Sequence, residues 1–88
     1  MWKEEIMERR LVNLSTMKAG AKGVVTEIRG GLGLLRRLEN LGIRPGVKIT
    51  KVSAQFMRGP VTLRVGNTQA ALGFGMAQKI IVGIKSGQ

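Results

Sequence analysis

At 88 residues and a net charge of +10, the chain is one small, strongly basic domain with room for a single modest core. It contains no Cys, His, Asp or Tyr, which excludes a disulfide framework and a Cys/His zinc site and removes the usual general base and its orienter. All five acids fall in residues 1–39, while residues 40–88 hold seven Lys/Arg and no acid, a balance that suits either solubility or an acidic partner.

Residues 1–10 read as a short polar helix or a loose N-terminal extension, with Trp2 and Ile6 four apart and Glu5 four before Arg9. Acids stand where a secretory signal would have its apolar stretch, and no run approaches a membrane span, so a cytoplasmic protein is expected. From Leu11 to Gln88 the pattern is that of one folded domain. Leu11–Leu14 is a first strand or extended arm, followed by a turn over Met17–Gly20. Gly23–Ile28 is β-branched and strand-like.

The segment Gly30–Gly46 predicts one short helix with a glycine entry and a glycine stop. Leu34, Leu38 and Leu41 follow the i, i+4, i+7 spacing of a buried stripe, and Leu35 widens it. Arg36, Glu39 and Asn40 point away from that stripe, with Arg37 on its border. Gly42 suits the position just past a helix, and Pro45-Gly46 a tight turn into the next strand. A helix this short is unstable alone, so its leucines are expected to plug one end of a β structure.

In Val47–Val52 the alternation holds for Val47 and Ile49 and slips by one at Val52, which predicts a bulge or strong bend. After Gly59-Pro60 comes the clearest hairpin: strand Val61–Val65, turn Gly66-Asn67, strand Thr68–Leu72. That turn sets Val65 opposite Thr68, with Val61, Leu63, Val65, Thr68, Ala70 and Leu72 on one face and Thr62 and Arg64 outward. Gly73–Ala77 is a loop or single helical turn, and Lys79–Lys85 a last strand with Ile80, Val82 and Ile84 inward. Five short strands, Gly-rich turns and one helix make a mainly all-β, small SH3-like barrel; an OB-fold is the nearest competitor.

Gly31-Leu32-Gly33 between strand and helix resembles a phosphate cradle, but the third fingerprint glycine would fall at Arg36 and no acid follows at the ribose distance. Arg29, Arg36, Arg37, Arg44, Lys48, Lys51, Arg58 and Arg64 could track phosphates, which makes a small nucleic-acid-binding barrel the alternative function. The only aromatic residues, Trp2, Phe56 and Phe74, are not placed mid-strand as stacking platforms. Phe74, between two glycines, is either a partner anchor or a lid folded over the barrel mouth. No cluster suggests a metal, and Met7, Met17, Met57 and Met76 are scattered as packing residues would be.

Leu14, Gly20, Gly23-Val24-Val25, Ile28, Gly30-Gly31, Arg37-Leu38, Leu41-Gly42-Ile43, Pro45-Gly46, Ile49, Gly59-Pro60, Leu63, Val65, Ala71-Leu72, Ala77, Ile80 and Val82 together resemble the ferrous iron transport protein A (FeoA) family. The resemblance covers residues 11–84, and the Leu-Gly-Ile-x-Pro-Gly stretch and the Ala77-x-x-Ile80-x-Val82 spacing are its most specific parts. It implies an SH3-like barrel that binds and modulates the GTPase part of a membrane ferrous iron transporter, with no catalysis, no cofactor and no iron ligands of its own. Transition-metal association is thus implied for the family only. The partner-binding residues expected from this reading are Arg36, Arg37, Arg44 and Phe74. The barrel also resembles the C-terminal domain of iron-dependent repressors, whose winged-helix and dimerisation parts the sequence lacks.

Overall fold

The computed structural model describes residues 9–53 and 57–85. The expectations for the N-terminal segment up to Glu8, including Trp2 and Ile6, and for Phe56 lie outside those residues. Strands β1 (Arg9–Asn13), β2 (Lys22–Ile28), β3 (Lys48–Ser53), β4 (Val61–Val65), β5 (Thr68–Leu72) and β6 (Ile80–Lys85) form one antiparallel sheet in the order β1-β6-β2-β3-β4-β5. Helix α1 (Leu32–Asn40) joins β2 to β3, and α2 (Phe74–Gln78) joins β5 to β6.

This is the mainly-β, SH3-like architecture expected, with a sixth strand and a second short helix. Arg9 and Arg10 belong to β1 and not to a polar helix. The sheet curls without β1 and β5 pairing. The chain leaves β1 through a 3-10 turn (Leu14–Thr16) and leaves β5 into α2, and these two pieces pack on each other. Helical packing therefore bridges the gap between the edge strands. Two irregularities help the curl: the register shifts between Val25 and Glu27 against β6, and between Lys51 and Ser53 against β4. The second is the bulge that the slip at Val52 foretold.

The hairpin has the expected register, Val65 opposite Thr68 and Val61 opposite Leu72, because a two-residue turn leaves little freedom in pairing. Its inward residues join a core built from Leu14, Val25, Leu38, Ile43, Ile49, Leu63 and the inward face of β6.

Lys51 departs from expectation. Expected with the other cations on a phosphate-tracking surface, it is instead 1% exposed and stands opposite Leu63 on the inward face of the sheet. Alternation from Ile49 sends position 51 inward, and the bulge turns Val52 to solvent. The ammonium Nζ donates to the carbonyl oxygens of Ser15 at 3.0 Å and Met17 at 2.6 Å. The Lys51 backbone N–H donates to Ala21 O at 2.9 Å, and its carbonyl accepts from Gly20 N at 2.7 Å. One residue of β3 thus holds the whole connection between β1 and β2.

Burial pushes the Lys51 ammonium below its ordinary value of 10.5. The unfolded chain therefore keeps this proton to higher pH than the folded one, so stability rises with pH between the depressed value and 10.5. Two outcomes are expected in chemical denaturation. Lys51→Met, which leaves two carbonyls without their donor, loses about 2 kcal/mol, and Lys51→Ala, which also opens a cavity, about 4 kcal/mol. Across an alkaline titration the wild type should gain on Lys51→Met as pH approaches 10.5; a gap independent of pH would show that the lysine titrates as if solvated.

Candidate functional site

Helix α1 carries most of the residues singled out from the sequence, and its exit fixes their arrangement. Leu41 is the C-cap; Gly42 N donates to Glu39 O at 2.9 Å and Ile43 N to Leu38 O at 2.8 Å. This pair of bonds, with Gly42 at φ +86°, is a Schellman motif, and Gly42 adopts a left-handed conformation that a side chain would penalise. The apolar contact that accompanies the motif is Ile43 against Leu38, both fully buried. Arg44-Pro45-Gly46-Val47 then closes a turn with Val47 N on Arg44 O at 3.2 Å and Gly46 at φ +95°, as a type II turn requires. Gly46 N donates to Val25 O at 2.7 Å, so the exit is fastened to β2.

These bonds correct the expected stripe. Leu38 is buried, Leu34 is half-buried against the core, and Leu41 is exposed. The helix ends at Asn40, and the Schellman reversal delivers Ile43 to the place that a longer helix would have given Leu41. Arg37 is exposed in the last turn, where a positive charge complements the helix dipole.

Arg36 and Arg44 are brought together. Both line a groove of about 410 Å³ with Glu39 and the apolar side chains of Ile28, Leu32, Leu35 and Ile43. Leu32, in the first turn of α1, is 69% exposed beside this groove. Sequence reasoning passed over Leu32 as part of a glycine turn; its place off the Leu34–Leu38 stripe was the available signal. Arg37 and Phe74 are not part of the groove. Phe74 opens α2, half-buried, with the Arg58 guanidinium 5.9 Å from its ring centroid. Met57 and Arg58, which precede that contact, have positive φ of 51° and 64°, an uncommon backbone for two successive non-glycine residues.

The other cations predicted to track phosphates do not form one line with these. Arg29 pairs with Glu27 at 3.3 Å, Lys51 is buried, and Lys48 and Arg64 lie on the outer face of the sheet. Among the described residues no group of His, Cys, Asp or Glu could hold a metal ion, and no helix is long and apolar enough to cross a membrane.

The groove and the core meet along α1, so substitutions there should separate cleanly. Thermal unfolding is expected to show Leu38→Ala destabilised by about 3 kcal/mol, with Leu32→Ala and Leu41→Ala within about 0.5–1 kcal/mol of wild type. A large loss at Leu41 would restore it to the plug.

The chain matches the family model described as FeoA domain over residues 12–83. It is 35% identical over 69 residues to "Putative Fe(2+) transport protein A" of Methanocaldococcus jannaschii, a match covering 78% of this chain and 82% of that protein. Among solved structures it is similar to an iron uptake regulatory protein (FeoA), with a TM-score of 0.78 and 34% identity over 83% of this chain and 96% of the other. A manganese-dependent transcriptional repressor shares the fold at a TM-score of 0.78 and 20% identity, covering 88% of this chain but 42% of the repressor. With the family model running from within β1 into β6 and a relative 35% identical over 69 residues, the chain belongs to the FeoA domain family.

Proposed function

We propose that the protein is a cytoplasmic, non-enzymatic accessory of ferrous iron uptake that docks on the GTPase part of the membrane iron transporter and modulates it. Family membership and the name of the archaeal relative support a place in Fe(2+) transport. The scarcity of catalytic and metal-ligating side chains suits a protein that acts by contact and does not carry the ion itself.

The single observation that carries the docking surface is the groove beside α1. An exposed leucine next to Leu35 and Ile28 supplies apolar area, and Arg36 and Arg44 flank it with guanidinium groups able to meet carboxylates in a bidentate manner. Apolar contact ringed by arginine is the pattern of a protein–protein hot spot. The complementary partner surface is an apolar side chain set among acidic residues. Arg37 adds charge near the helix C-terminus, and Phe74 with Arg58 forms a separate patch that the docking model does not require.

The test is a titration of the labelled chain with the purified cytosolic domain of the transporter. Saturable binding is expected, weakened about tenfold or more by Leu32→Asp and by the pair Arg36→Glu and Arg44→Glu. Raising the salt should weaken it mainly through the association rate. No binding by the wild type, or equal binding by these variants, would overturn the proposal.

A further inference from the structure

The two edges of the sheet are unlike. β1 opens with Arg9-Arg10, and charged residues on an edge strand are one means by which proteins discourage further pairing. β5, at the other edge, reads Thr-Gln-Ala-Ala-Leu, and Val65 through Gln78 is the longest stretch of the sequence without a charged residue. That stretch has no proline, and the register of β5 on β4 is unbroken. In a chain of net charge +10, an edge this neutral and regular leaves a pairing template open.

The hairpin turn fixes which backbone groups are on offer. Gly66, at φ +60°, opens a two-residue turn, so Val65 with Thr68, Leu63 with Ala70 and Val61 with Leu72 are the hydrogen-bonded pairs. Gln69 and Ala71 therefore turn their N–H and C=O groups away from β4, and among the described residues nothing meets them there. Both residues are exposed, and α2, which follows β5, packs on the 3-10 turn and leaves them open. No residue of β5 lines the groove beside α1.

We propose that β5 is a self-association edge, taken by β5 of a second copy of this chain running antiparallel about a two-fold axis at Ala70. In that register Gln69 of each copy faces Ala71 of the other, and every outward N–H meets an outward C=O. Ala70 faces Ala70 of the second copy at the non-hydrogen-bonded position, where Cα atoms approach to about 4.5 Å and two methyl groups fit. Ala70 packs half-buried against the core, so the pairing carries the apolar face of one barrel on to the next. Charge selects this occupant. Two copies at +10 repel over most of their surfaces, and this edge lets them meet with no charge facing another. Arg64 stands beside Gln69, and beyond it would come Ala71 and then Thr62 of the second copy, so the arginines stay apart. A neutral edge offers nothing to steer an acidic partner. The arginines of β1 weigh against growth at the other edge, which makes the assembly a closed dimer. The proposal is independent of the docking groove.

The experiment is sedimentation equilibrium of the full chain from about 10 μM to about 1 mM, joined to amide hydrogen exchange at both ends of that range. One strand pair buries less than a standard interface of about 1,600 Å², so a weak dimer is expected, half formed within the range. Because like charges oppose it, its affinity should rise severalfold as salt goes from about 0.05 M to about 0.5 M. The amides of Gln69 and Ala71 should gain protection at the high concentration. Gln69→Lys with Ala71→Lys sets cation against cation across the axis and should weaken the dimer about tenfold or more. Gln69→Glu with Ala71→Lys sets opposite charges across the same axis and should hold the dimer at wild-type strength or better. Both positions are exposed, so both double variants should keep the thermal midpoint of the wild type. The proposal is overturned if the wild type stays monomeric at about 1 mM in about 0.5 M salt. It is equally overturned if the lysine pair dimerises as the wild type does, if protection gathers at β1 or α1 instead, or if the two amides are protected only when the transporter's cytosolic domain is added.

Discussion

Lys51 is the constraint on which the barrel closure rests. The edge strands β1 and β5 do not pair, so the end of the sheet is completed by the 3-10 turn and α2. A 3-10 turn is a weak element, with few internal bonds and poor geometry. Here its carbonyl at Ser15 and the carbonyl of Met17 just beyond it are both met by one ammonium rooted in β3. Charge-assisted bonds of this kind are stronger than neutral ones, and they are made where water does not compete. The four-carbon stem crosses the core beside Leu63 and does the work of an apolar side chain. Burying the charge is costly, and the same desolvation lowers the affinity of Lys51 for its proton. The return is positional: a connection that could drift is held at the gap where the sheet would otherwise be open.

The exit from α1 shows why one stretch of sequence was so legible. Gly42, Pro45 and Gly46 act through their own backbone preferences, and the Schellman and type II bonds they permit join residues at most five apart. The Gly66-Asn67 hairpin is equally local, and its register followed from the turn alone. Leu41 was misplaced by carrying the helical period one residue past the cap. The burial of Lys51 could not be read in the same way. The carbonyls that make it tolerable are 34 and 36 residues away in sequence, and a lysine beside Val52 reads as the solvent side of a strand until the bulge is known. That Lys22, Thr50 and Arg64 lie side by side across β2, β3 and β4 likewise needed the strand pairing, which no local pattern encodes.

Family membership therefore has a physical meaning in this chain. The Leu-Gly-Ile-x-Pro-Gly stretch is a device for ending a helix, dropping one buried residue onto its last turn and starting β3 in register with β2. The same device sets Arg36 and Arg44 on one groove, since the reversal at Gly42 folds the chain after the helix back along it. A manganese-dependent transcriptional repressor shares the fold at 20% identity, so the fold by itself assigns no task. Recognition then rests on what the outward positions carry.

Those outward positions are of two mechanical kinds, and the difference bears on how each surface can recognise anything. Ile43 is at once a wall of the α1 groove, the contact that seals the Schellman motif and a member of the core. The groove is consequently built into the fold, and a partner that fits it orders little backbone on binding. On the outer face of the sheet Lys48 and Arg64 are exposed side chains rooted in paired backbone, and such side chains lose rotamer freedom when they close on a ligand. A preformed groove that is apolar at its centre selects by shape, and salt weakens its contacts only at the arginines that flank it. Exposed cations on a sheet face select by charge density, and their pull weakens as ions screen it. The two kinds of surface thus differ in how steeply salt acts on them, because only the groove has an apolar centre that ions do not screen.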